Sequence, residues 1–243
     1  MTTDFKRGAI RPMECFSQGW DLIKDQFWLF VGISLIAVLI MQALPIVLVG
    51  PMMCGLHFCL FQKMRGERVE FGLLFKGFDH FGPSLLLTVF QVIPVLIAIS
   101  VIAVPSVVTL IALAPTPARR GAPAPPPEPL FFVVIGLMIL GIILVAMLAS
   151  MFFIFSFPLL LEKQMQPIEA IKTSAKAVMG NLGGVLGLLL LNFVGSIAGL
   201  LLCYVGAILF MPIAFAAYDI AYRQVFPATY APGYTPPQWD AAR

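Results

Sequence analysis

The sequence predicts an all-α fold: a polytopic transmembrane helical bundle of about six spans with amphipathic interfacial helices. Three observations carry that prediction. No Asp, Glu, Lys or Arg occurs from Phe27 to Gln62, from Phe81 to Ala118, from Leu130 to Leu161, or from Ala177 to Tyr218. Each run exceeds the roughly 20 apolar residues that one helix needs to cross a bilayer core. Charged residues make up 11% of the chain, against about 25% in soluble domains, and the mean hydropathy is +0.97. Finally, short charged amphipathic stretches near Pro12, Glu70 and Pro167 lead into apolar runs. A closed β-barrel also satisfies its backbone in lipid, but it needs alternating polar positions, which these runs lack.

Residues 12–26 read as an amphipathic helix. Phe16, Trp20, Ile23 and Phe27 share one face, while Glu14, Asp21, Lys24 and Asp25 occupy the others. The run behind it would extend roughly 54 Å as one helix at ~1.5 Å per residue, too long for a single crossing. Pro45 offers a break, since proline suits a first helical turn. Spans of about 27–43 and 46–62 then form a hairpin, with Pro51 kinking its second arm. Residues 65–81 form a connection with Phe71, Phe75 and Phe78 on one helical face.

The proline-rich stretch 115–129 reads as an extended external loop between spans of about 84–105 and 131–155. A competing reading folds each flank into two spans, giving eight and bringing Arg119 and Arg120 inside. Those spans would hold about 16 residues, below the usual ~17–25. Residues 164–181 repeat the opening theme. Ile171, Ala175, Val178 and Leu182 have the spacing of Phe16, Trp20, Ile23 and Phe27, and Pro12 and Glu14 match Pro167 and Glu169 at a shift of 155 residues. A parallel repeat of a helix-plus-hairpin unit and the common grammar of membrane helices both produce such a match. The last run holds spans of about 183–202 and 204–222. A single membrane domain, 1–225, is expected, followed by a disordered cytoplasmic tail at 226–243.

Charge sets the expected orientation. Lys6, Arg7, Arg11, Lys24, Lys63, Arg65, Arg68, Lys76, Lys163, Lys172, Lys176 and Arg223 flank the runs on one side, and cytoplasmic flanks are rich in Lys and Arg. This places both termini in the cytoplasm, with the first span as an uncleaved signal-anchor. The lipid bilayer is the expected partner, together with other membrane protein subunits. No basic patch with interleaved aromatics points to nucleic acid. Cys15, Cys54, Cys59 and Cys203 form no CxxC pair and read as small hydrophobes.

Polar residues inside apolar spans are the default functional candidates. Here they are Gln42, His57, Gln91, Asn192 and Asp219. His57 has no acidic or second histidine partner at helical spacing, so a packing histidine and a haem or proton ligand both remain open. Asp219 sits four residues before Arg223, the spacing of a helical ion pair; ion coupling is the alternative. Gln42 and Asn192 are suited to joining helices by hydrogen bonds or to lining a polar cavity. Gly183 and Gly187, then Gly195 and Gly199, have GxxxG spacing, which lets helix backbones approach closely. Packing within the bundle and homodimerisation both use such faces. No catalytic residue, metal ligand or cofactor site is expected, since no nucleophile elbow, P-loop or HExxH occurs.

Gly50-Pro51, Arg65-Gly66-Glu67, Leu74-Phe75 and Gly77-Phe78, with Pro167, Ala170 and Ser174, carry a resemblance across most of the chain. On these residues it resembles a broad group of bacterial polytopic membrane proteins, including the membrane-domain region joined to some glycerophosphodiester phosphodiesterases. The resemblance implies an inner-membrane helical bundle. It does not extend to the soluble catalytic domain, so it transfers no activity and no catalytic residue. The functional expectation is a non-enzymatic scaffold or accessory subunit of a membrane complex, with a transporter or lipid-handling protein as the alternative.

Overall fold

Every regular element among the described residues is helical. The structure, a computed structural model, describes residues 5–113, 129–202 and 205–227. The expectations for the proline-rich loop with Arg119 and Arg120, for Cys203 and for the tail beyond residue 227 lie outside the described residues.

The α-helices are α1 (Pro12–Ile23), α2 (Phe27–Ala43), α3 (Val49–Met64), α4 (Phe81–Leu113), α5 (Pro129–Met151), α6 (Ser156–Lys163), α7 (Pro167–Gly180), α8 (Leu182–Leu201) and α9 (Val205–Val225). Short 3-10 helices at Lys24–Gln26 and Phe71–His80 precede α2 and α4. Among the described residues, five helical stretches are long and apolar enough to cross a membrane: Pro12–Ala43, Phe71–Ile111, Pro129–Lys163, Leu182–Leu201 and Val205–Val225. The chain therefore has the build of a helical membrane protein. Helix α3, where a sixth span is expected, has 16 residues. That gives about 24 Å at ~1.5 Å per residue, short of the ~30 Å hydrocarbon core.

The backbone divides into two compact units: residues 90–151, and residues 1–89 with 152–243. In the smaller unit, α5 and the part of α4 beyond residue 89 are apolar on nearly every side. Val101, Ile111, Phe132 and Leu137 are all more than 60% exposed.

The larger unit is organised around the helices that return to the charged side, α3, α6 and α9. The amphipathic segments dock on them: α1 on α9, the Phe71–His80 helix on α3, and α7 on α6. Each segment after the first thus packs on the returning helix that precedes it in the chain, and α1 closes the ring by packing on the last. Small residues make the approaches possible. A Cβ on Gly19 would lie 2.9 Å from Ala217 N, and one on Gly77 would lie 2.5 Å from Gly55 N. At α7 the contact is polar: Ser174 Oγ donates to Phe152 O (2.7 Å) and accepts from Phe155 N (3.2 Å), holding the turn ahead of α6.

This packing changes the register of the expected repeat. On α1 the buried positions are Cys15, Gly19 and Ile23, while Phe16 is only half-buried and Trp20 is exposed. The same shift of 155 residues carries these onto Ala170, Ser174 and Val178, all buried on α7. The large apolar residues of the expected face flank the contact, with Phe16 stacked on Phe210 and Trp20 against Phe27. Helix backbones close on small side chains, so the seam follows size rather than hydrophobicity.

Pro45 marks the expected break between α2 and α3, whereas Pro51 falls elsewhere than expected. Pro45 lies in the turn that precedes α3, and Pro51 sits in the first turn of α3. There its missing N–H breaks no helical bond, so it starts the helix rather than kinking it. A core of Ile23, Phe30, Ile33, Ala37, Met52, Leu56, Leu60 and Leu74 then fills the space between α2, α3 and the Phe71–His80 helix.

Candidate functional site

The polar candidates converge where α3, α6 and α9 meet. His57, on α3, has its Nδ1 2.7 Å from Asp219 Oδ1 on α9. Both side chains are buried, at 4% and 0% exposure. When Nδ1 carries the hydrogen, it donates to the carboxylate. The imidazole ring centroid lies 6.5 Å from that of Phe157, with the rings stacked, and 6.4 Å from that of Phe61. Among the described residues, Asp219 Oδ2 has no hydrogen-bond partner.

One turn further along α9, Tyr222 Oη donates to Glu162 Oε2 of α6 at 2.6 Å, and Arg223 forms an ion pair with the other oxygen of Glu162. The Arg223 guanidinium also lies over the Phe61 ring, 4.8 Å from its centroid. Gln224 Oε1 accepts from Arg11 N (2.9 Å) and from Cys15 Sγ (3.5 Å), tying α9 to α1. Asn181 fastens the N-terminal segment: its Oδ1 accepts from Ala9 N, and its Nδ2 donates to Lys6 O and Ala177 O, each at 2.9 Å.

These partners differ from the sequence reading. His57 has an acidic partner, but it lies 162 residues away in the chain. Asp219 takes that histidine instead of Arg223, although Arg223 is at ion-pair spacing on the same helix. Arg223 turns to Glu162 because α6 brings a carboxylate into reach, with Tyr222 donating to the same group. Glu162, Tyr222, Gln224 and Asn181 were missed as bridging residues. Their signal in the sequence was slight: Glu162 ends a long uncharged run, and Asp219 to Gln224 form a polar cluster at the end of α9. Gln42 is exposed on α2, and Gln91 and Asn192 are half-buried on α4 and α8.

The glycine positions divide. A Cβ on Gly187 would lie 2.7 Å from Pro12 Cγ, and one on Gly199 would lie 2.6 Å from Ala207 N; one on Gly195 would strike the Phe210 ring. Gly183 has open space around it, and its neighbour Gly184 makes the contact instead, against Ile10. The correction is one of register: the α8 face that meets the N-terminal segment passes through 184 and 187, three apart, rather than through 183.

Chemically, the junction can hold a proton between an imidazole and a carboxylate in a largely apolar setting. No group of three His, Cys, Asp or Glu able to hold a metal ion converges among the described residues. Cys15, Cys54 and Cys59 are buried and form no disulfide among the described residues, and the Cys15 thiol donates to Gln224. No curated protein matches the chain, and no solved structure does. Residues 5–230 match one family from end to end of the helical region, and the chain belongs to it: the Family of unknown function (DUF7544).

Proposed function

We propose that the protein is a non-enzymatic integral membrane protein acting as a scaffold or accessory subunit of a membrane complex, in a bacterial inner membrane with both termini cytoplasmic. The observation that carries this reading is the use made of the buried polar side chains. His57 bonds Asp219, Glu162 bonds Tyr222 and Arg223, Gln224 bonds Cys15, and Asn181 bonds the N-terminal segment. Each bond joins elements distant in the chain, as a cross-link would. The orientation rests on the basic residues flanking the apolar runs. The apolar surface of α4 and α5 offers a large area to lipid or to a partner's helices.

The test is purification in mild detergent after crosslinking in cells, followed by quantification of what co-purifies. One membrane protein in stoichiometric amount is the expected result. Solute or lipid movement by liposomes that contain this chain alone would sink the proposal.

A second reading, transport, has one specific observation in its favour. Asp219 is fully buried, and one of its oxygens is unpartnered beside His57. Ionisable groups inside membrane helices commonly mark ion or proton paths. If this reading holds, Asp219→Asn abolishes a pH-driven flux while leaving the protein folded.

A further inference from the structure

A shallow cavity of about 510 Å³ opens beside the N-terminal segment, lined by Phe5, Arg7, Ala175, Lys176, Met179 and Gly180. Its wall is a built contact. Gly180 lacks a side chain, which lets the Phe5 ring and the Arg7 stem rest on the last turn of α7. A Cβ there would lie 2.9 Å from Phe5 Cε2 and 3.2 Å from Arg7 Cγ. The segment is pinned on both sides of Arg7: Lys6 N donates to Val225 O (2.9 Å), and Gly8 N donates to Gly180 O (3.2 Å).

The lining combines two chemistries. Arg7 and Lys176 are exposed, and among the described residues no acidic side chain lines the cavity. Phe5, Ala175 and Met179 make an apolar side, with Met179 61% exposed. The C-terminus of a helix ordinarily repels an anion. Here its carbonyls already have donors: Ala177 O accepts from Asn181 Nδ2, Val178 O from Asn181 N and Gly180 O from Gly8 N. A small soluble phosphate would use the two cations and leave the apolar side in water. A phospholipid uses both.

We propose that this cavity binds an anionic glycerophospholipid, its phosphate between Arg7 and Lys176 and an acyl chain along Phe5 and Met179. A scaffold and a transporter could each hold such a lipid, so the inference does not depend on the function proposed above.

The experiment is a titration of the purified full-length protein, in neutral detergent, with dioctanoyl phosphatidylglycerol, read by native mass spectrometry. A basic residue near an anionic lipid surface contributes ~1 kcal/mol, and 1.4 kcal/mol is tenfold in affinity. The double variant Arg7→Gln with Lys176→Gln should therefore bind roughly 30-fold more weakly. Ala175→Trp, which fills the cavity and keeps both charges, should also lose the lipid at unchanged melting temperature. Arg65→Gln with Arg68→Gln, removing two exposed basic residues beyond the end of α3, should bind as the parent does. Equal loss in that control, equal affinity for dioctanoyl phosphatidylcholine, or equally strong displacement by glycerol phosphate would each overturn the proposal. The last outcome would assign the cavity to a soluble phosphate ester.

Discussion

The His57–Asp219 pair is best probed by a double-mutant cycle with leucine at each position. His57→Leu leaves Asp219, fully buried, without a partner on either oxygen. Breaking a buried pair from one side costs ~3–5 kcal/mol in soluble proteins, while interhelical hydrogen bonds in membranes average ~0.6 and reach ~1.7 kcal/mol. Because this pair lies among protein side chains rather than lipid, we expect ~2–4 kcal/mol for His57→Leu, between those limits. Asp219→Leu strands one imidazole donor and should cost ~1–3 kcal/mol. The double variant replaces both polar groups by apolar ones, which is often close to neutral. It should therefore fall short of the sum of the singles by at least ~1 kcal/mol. Equilibrium unfolding in mixed micelles, followed by far-UV circular dichroism, measures all four proteins. Independent sites add to within about 0.3–0.5 kcal/mol. Single effects that sum to the double within that margin would refute the pairing.

Other outcomes follow from the packing. Gly77→Ala should destabilise by ~1–3 kcal/mol through overpacking, because its Cβ meets the backbone of α3, whereas Gly72→Ala on the same 3-10 helix meets open space and should be neutral in the same unfolding assay. Gly199→Val should weaken the α8–α9 hairpin and lower the melting temperature, while Gly183→Val, with nothing within 4 Å, should not. Asn181→Ala removes the bonds that hold Lys6 and Ala9, at ~1–3 kcal/mol for the groups stranded. Limited proteolysis should then cut within residues 5–11 without melting the bundle; resistance equal to that of the parent would contradict the tether.

Helical class and most helix positions were legible because they follow from local physics. Uncharged runs interrupted by short charged segments dictate helices in lipid whatever their neighbours. Pro12 and Pro167 each mark the first residue of a helix, as their missing N–H predicts. Of the expected face of Phe16, Trp20, Ile23 and Phe27, only Ile23 lies on the buried seam of α1, because periodicity weighs hydrophobicity and not size. Pro51 was misplaced by a few residues, enough to turn a helix start into an expected kink.

The candidate site was legible only as a set of isolated letters. His57 and Asp219 stood out as polar residues in apolar runs, but nothing local joins them, since helical spacing reports only neighbours three or four residues apart. Glu162 stood at the end of a run and carried no signal beyond its charge. Chain sequence alone therefore determined that this protein is built of apolar helices with amphipathic leads, and which few polar groups lie within them. Tertiary structure decided that α3, α6 and α9 meet, that histidine and aspartate pair there while arginine turns to glutamate, and which glycines are in contact. The reason is physical: hydropathy and helical period act along the chain, whereas hydrogen-bond partners and backbone clearance are set by which helices cross and at what register.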